Sequence, residues 1–185
     1  MNDVTQCVNG QRPDLWPSVY VELRRLGSAV LRGERSPPAD GDLTAIVHEA
    51  WAKLRQSPPG SGWQSRAHFF GSASRAMRQS LVDQARRRNA TKRLHSQAAQ
   101  LDPDSIPAAA RDPADHFHRV IEIDAALQDL ALHERDWADV AEMKLFGNLP
   151  MWMIAERLGI SRRTAERYWD HASRWLRERL CKELS

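Results

Sequence analysis

Apolar residues recur along this chain at steps of three and four, and no segment alternates with period two. The spacing predicts a first helix over 15–31, with Leu15, Val19, Leu23 and Leu26 as its stripe and Arg24, Arg25 and Arg32 outside it. GERSPPADGD then breaks the pattern with proline and glycine. A second helix follows over 43–54, with Ile46, Val47, Ala50, Trp51 and Leu54 inward, and QSPPGSG at 56–62 is a loop. The third helix is long, over 65–92. Phe70, Ala73, Met77 and Leu81 are its buried stripe with Phe69, Val82 and Ala85 alongside, while Arg75, Arg78, Arg86, Asn89 and Arg93 follow another face. Residues 94–115 have the make-up of a linker, with Pro103, Pro107, Pro113 and acids without period. Helical pattern resumes at Phe117 through Val120, Ile123, Leu127 and Leu130. It continues after Glu134 through Trp137, Val140 and Leu145 to Gly147.

The stretch Met151–Leu180 carries the most specific pattern. A short apolar-polar run closes at Gly159, where a helix can end in a left-handed cap, and Ser161 is a candidate N-cap for the next helix. That helix places Ala165, Trp169, Ala172, Leu176 and Leu180 on one face and Arg163, Arg167, Arg174 and Arg177 on another. Two helices joined through a glycine turn, the second basic, form the helix-turn-helix pattern that seats a recognition helix in the DNA major groove. An ordinary helical hairpin with a solvated charged face has the same spacing, but not the Gly-Ile-Ser at the turn. The expected fold is therefore all-α, with two small helical domains joined by a flexible linker and a helix-turn-helix in the second. The divisions are 12–93, linker 94–116, and 117–183.

Charge distribution sharpens this picture more than net charge, which is only +3. Residues 66–93 hold eight Arg/Lys against one acid, residues 94–142 three against eleven acids, and residues 157–182 eight against three. Two basic segments separated by an acidic one point to two polyanion-binding surfaces. No apolar run is long enough to span a bilayer, and MNDVTQCVNG lacks the parts of a signal peptide. Cys7 and Cys181 stand in no metal or redox spacing, so reduced thiols and a cytoplasmic location are expected. None of the seven histidines is placed with a nucleophile or carboxylate partner, and His116-Phe-His118 lacks further ligands. No enzyme activity, metal or cofactor is expected.

In this order the segments resemble an extracytoplasmic-function (ECF) sigma factor, the compact two-domain branch of the sigma-70 family. LTAIVHEAWAKL (43–54) resembles the helix that grips the polymerase clamp. WQSRAHFFGSASRAMRQSLVDQARRRNATKR (63–93) resembles the promoter-melting and minus-ten-reading segment, and 125–180 resembles the minus-thirty-five-reading domain. The resemblance implies core RNA polymerase and promoter DNA as partners. It implies polymerase contacts at Asp42, Thr44, Ile46, Val47, Glu49 and Trp51, and minus-ten contacts at Trp63, Arg66, His68, Arg75, Arg78, Gln79, Arg86 and Arg87. A loop at about 61–67 would cradle a flipped base. Minus-thirty-five contacts would come from Arg162, Arg163, Thr164, Glu166, Arg167, Asp170 and His171. Glu166 and Asp170 could read cytosine or merely pair with an arginine one turn away.

Two departures from the family stand out. Pro150-Met151-Trp152-Met153 replaces the usual polar cap, and three large apolar residues in a row cannot all point inward. The acidic cluster that opens the polymerase-gripping helix is reduced to Asp42 in Asp42-Leu43-Thr44-Ala45. A phosphate on Thr44 would restore charge near a helix N-terminus, so a Ser/Thr kinase switch at Thr44 is one expectation, and a plain capping hydroxyl the other. An anti-sigma factor is a further possible partner. The competing functional class is a stand-alone helix-turn-helix regulator with a helical partner-binding domain, against which the basic, aromatic 63–93 stretch argues.

Overall fold

The computed structural model describes residues 20–24, 40–56, 62–99 and 114–183, with backbone alone at 40–42, 92–99, 114–118 and 182–183. A helical turn at 20–24 precedes α1 (Asp40–Gln56), α2 (Arg66–Ala99), α3 (Ala114–His133), α4 (Arg135–Gly147), α5 (Met151–Leu158) and α6 (Arg162–Glu183). Among the described residues there is no strand, and the chain is all-α.

Helix α2 is the centre. Ser65 starts it: its Oγ accepts from the His68 N–H at 3.1 Å, and its carbonyl from the Phe69 N–H at 3.0 Å. Phe69, Phe70, Ala73, Met77, Leu81, Val82 and Ala85 are buried along it, as the apolar spacing predicts. Ala76, Ser74 and Ser80 are buried as well, which widens the covered surface beyond one stripe. One neighbour cannot cover so broad an arc. Helix α1 packs on one side through Leu43, Ile46, Val47, Ala50 and Leu54, and α3, α4 and α5 pack on the other.

The long helix also outruns its expected end. Residues 94–99 hold no proline or glycine, so nothing stops α2 before Ala99, and α3 already begins at Ala114. The connection expected over 94–116 is thus helical at both ends, and 100–113 lie outside the described residues. So do most of the first helix expected over 15–31 and the side chain of Phe117.

Helices α3 to α6 follow their apolar positions. Val120, Ala126, Leu127 and Leu130 of α3 and Ala138, Val140, Ala141 and Met143 of α4 are buried. Glu134, at φ −141°, is the single break between α3 and α4. Asn148 takes φ 44° and ends α4, and Pro150 leads into α5 in an extended conformation. Proline there costs no hydrogen bond, because a helix start leaves its N–H groups unpaired anyway. Of the apolar triplet, Met153 is buried, Met151 half-buried, and Trp152 points out with 52% exposure.

A single hydrophobic cluster runs from Leu23 and α1 through α2 into α3 to α6. The two halves therefore meet directly, where a flexible connection alone had been expected. Their tightest approach is at Gly147, where an added Cβ would lie 1.9 Å from Ser74 Oγ and 3.0 Å from Ser74 Cβ. Gly147→Ala is expected to lower stability by about 1–3 kcal/mol through overpacking. Adding Ser74→Ala should recover part of that loss, because it removes the nearest atom. Urea titration of the two single variants and the double variant measures the coupling.

Candidate nucleic-acid interface

Arginines emerge along α2 beside its buried arc, since they sit at positions the apolar stripe leaves open. Arg75, Arg86 and Arg87 are exposed, Arg78 is not. The Arg78 side chain, 16% exposed, lies between two carboxylates of the second half. Its Nε donates to Asp124 Oδ1 of α3 at 2.7 Å, its Nη1 to Glu142 Oε2 of α4 at 2.5 Å, and its Nη2 to the Asp124 carbonyl at 3.3 Å. Arg75 Nε donates to Glu142 Oε1 at 3.3 Å and approaches Asp139 at 3.6 Å, while Arg86 stands 3.9 Å from Asp124. These groups line a cleft of about 500 Å³ between α2 and the α3–α4 pair, with Lys53 and Gln79 at its edge.

The acids of this seam differ in quality. Asp124 and Glu142 are each 9% exposed and are held by charge-assisted bonds. Burial pushes the Asp139 carboxyl above its ordinary range, and Arg135 and Arg75 only partly oppose that, with Glu142 and Asp136 adding to the rise. Asp139 meets Arg75 and Arg135 only at 3.6 and 3.7 Å, so Arg78 with Asp124 and Glu142, at 2.7 and 2.5 Å, is the strong contact.

Near the start of α2 several expected DNA contacts turn inward. Trp63 is only 6% exposed and packs edge-on against Phe69 at 5.3 Å, so it belongs to the core and offers no platform for a base. His68 lies 5.4 Å from Trp63, and burial followed by the nearby Arg157 charge lowers its pKa. A histidine held in this way is neutral at pH 7 and brings no charge to a phosphate. Arg66 bonds Glu22 at 2.5 Å and lies over the Phe70 ring at 5.0 Å. Gln79 is exposed.

On α1, Ile46 and Val47 are fully buried against α2. They are core residues and cannot be the polymerase contacts expected of them. Glu49 bonds Arg87 at 2.8 Å and stands 3.8 Å from Lys53. Trp51 and Thr44 are half-buried, and the Asp42 side chain lies outside the described residues.

The α5–α6 unit has the local geometry its sequence asks for. Gly159 takes φ 66°, and the Ile160 N–H reaches back to the Ala155 carbonyl at 3.1 Å, the signature of a left-handed helix end. Ser161 Oγ accepts from the Thr164 N–H at 3.0 Å and meets Thr164 Oγ1 at 2.8 Å. Thr164 thus serves the cap. Arg162 and Glu166 bond each other at 2.8 Å, one turn apart. His171 stacks on Trp137 of α4 at 4.7 Å. Arg163, Arg167 and Asp170 are exposed on α6, Arg167 with its guanidinium 5.7 Å from the neighbouring Tyr168 ring. Arg177 folds back onto the Ser173 carbonyl at 3.0 Å.

The acids that hold Arg78 were not singled out by the sequence pattern, although the acidic run at 94–142 following the basic run at 66–93 carried the signal. Among the described residues no group of three or more His, Cys, Asp and Glu could hold a metal ion, and no helix is long and apolar enough to cross a membrane.

A family model described as ECF sigma factor matches residues 1–182. Comparisons with curated proteins and with solved structures each gave no match. A match over nearly all of the 185 residues, on an all-helical chain with basic helices in both halves, makes this protein a member of the ECF sigma factor family, whose members join core RNA polymerase and direct transcription initiation at promoter DNA.

Proposed function

We propose that the two halves divide the work of promoter recognition. In this reading α1 and α2 bind core polymerase and hold the melted minus-ten strand, and α5 and α6 form a helix-turn-helix that reads minus-thirty-five duplex. The observation that carries it is the pairing of two separate basic surfaces, Arg75, Arg86 and Arg87 on α2 and Arg163, Arg167 and Arg174 on α6, within one ECF-family chain. Such cations track phosphates, and arginine also pairs with guanine in the major groove.

Purified protein added to core polymerase on genomic DNA is expected to give discrete start sites that share an upstream element. If transcripts appeared only when another sigma factor was supplied, the stand-alone regulator would be the better reading. Arg163→Ala and Arg167→Ala should each cost about 1–3 kcal/mol of promoter discrimination, roughly tenfold or more in initiation, with core binding unchanged. An unchanged promoter preference in both variants would move the reading off α6.

Thr44 is the proposed switch. It lies near the N-terminus of α1, half-buried, beside an exposed Ala45 where the family's acidic cluster would stand. Glu49, the next acid along α1, is already engaged by Arg87 and Lys53. A phosphate on Thr44 would add nearly two negative charges close to the helix start, where the dipole favours them. Thr44→Glu is expected to bind core polymerase more tightly than Thr44→Ala in a pull-down at fixed salt. Equal binding and equal transcription by the two variants would rule the switch out.

A further inference from the structure

Helix α6 buries Ala165, Ala172 and Leu176 against α3, α4 and α5. Arg163, Arg167, Asp170 and Arg174 are exposed on the opposite side. At about 100° per residue these four lie within an arc of about 60°, a single stripe along the helix. Residues on both flanks of the stripe are already engaged within the chain. Glu166 holds Arg162 at 2.8 Å on one flank, and His171 stacks on Trp137 on the other. Asp170 differs from Glu166 in this respect. Its carbonyl accepts from Ser173 Oγ at 3.1 Å, but among the described residues its carboxylate has neither a hydrogen bond nor an ion pair. Arg167 and Arg174 stand one turn away on either side, at the spacings where helical ion pairs form. Arg167 lies instead over the Tyr168 ring.

We propose that Asp170 is a specificity-determining residue that selects cytosine in the duplex read by α6. The inference rests on the reading of α6 as the minus-thirty-five recognition helix and deepens it. An unpaired carboxylate within a cationic stripe opposes the attraction to phosphate on every sequence alike, unless a base donates to it. A carboxylate only accepts, and cytosine presents its N4 amine in the major groove with no acceptor of the same base beside it. Adenine also offers an amine, at N6, but its N7 acceptor lies next to it and would face the carboxylate. Guanine and thymine present acceptors and no donor there. By the same logic Arg163 and Arg167, with donors alone, take guanine. Asp170 lies three residues beyond Arg167, about 4.5 Å along the helix, comparable to the step of about 3.4 Å between base pairs. The cytosine is therefore expected at a base pair next to the guanine that Arg167 contacts.

The test uses the full chain with core polymerase and a promoter taken from the start sites that this pair selects on genomic DNA. Its upstream element is randomised, and the templates that yield transcripts are sequenced. With the wild-type chain, cytosine should be enriched about tenfold over the other bases at one position beside a preferred guanine. Asp170→Ala should flatten that position alone and leave the other preferences in place. Asp170→Asn should turn the preference to adenine, since a carboxamide both donates and accepts and pairs with adenine N6 and N7. A structural or purely electrostatic role for Asp170 would not exchange one base for another. Glu178→Gln removes one negative charge from an exposed position about two turns farther along α6. It should favour all templates alike.

If Asp170→Ala and Asp170→Asn keep every base preference of the wild type, the assignment is overturned. A uniform gain on all templates, as from Glu178→Gln, would also overturn it, because the carboxylate would then act only as a charge. Enrichment of adenine by the wild-type chain at the position that responds to Asp170 would overturn the choice of cytosine. Arg163→Ala and Arg167→Ala test the underlying reading by themselves. If neither alters any upstream preference, α6 is not the recognition helix and the proposal falls with that reading. If they flatten a guanine position while the Asp170 variants change nothing, only the Asp170 assignment fails. Preferences are compared within each variant's own transcripts, so a difference in overall activity does not alter the result.

Discussion

Helix α2 buries too much of its circumference to be satisfied by one neighbour. Phe69, Phe70, Ala73, Ser74, Met77, Ser80, Leu81 and Ala85 together cover a broad arc, and an exposed arc of that kind would be unstable in water. Helix α1 closes one flank. The other flank is closed by α3, α4 and α5, which belong to the second half of the chain. The arginines that edge the arc are therefore carried to the boundary between halves, and what they meet there follows from this packing.

Apolar burial is non-directional and does not by itself fix how two helical units sit together. The ion pairs add direction. Arg78, 16% exposed, is met by Asp124 at 2.7 Å and Glu142 at 2.5 Å, and its donors point at specific oxygens. Removing one member of such a pair leaves a charge buried without a partner, which costs more than the pair contributes over an apolar substitute. The arrangement is thus specific without being deeply stable. Gly147 against Ser74 and Gly71 beneath the Arg157 side chain supply the close approach that the charges need.

Much of the fold was legible because local rules decide it. The buried residues of α2 were readable from their spacing, and so were the left-handed turn at Gly159 and the Ser161 cap, since each depends on residues within one or two turns. Side-chain direction was harder. Ile46, Val47 and Trp63 lie in segments that the family resemblance ties to partners, yet helical phase points them into the core. The end of α2 was misjudged because the first proline of the connection, Pro103, comes only after Ala99, and the start of α3 because the helix begins directly after Pro113, ahead of the apolar period that starts at Phe117. The meeting of Arg78 with Asp124 and Glu142 spans 46 and 64 residues of sequence, a separation at which no local rule applies.

The stack of His171 on Trp137 has a mechanical consequence. With Arg179 bound to Asp129 of α3 at 3.1 Å, it ties α6 to both helices that carry the seam acids. Helix α6 cannot be re-aimed while α3 and α4 stay behind. The aim of α6, with its exposed Arg163 and Arg167, is therefore set by how α3 and α4 sit.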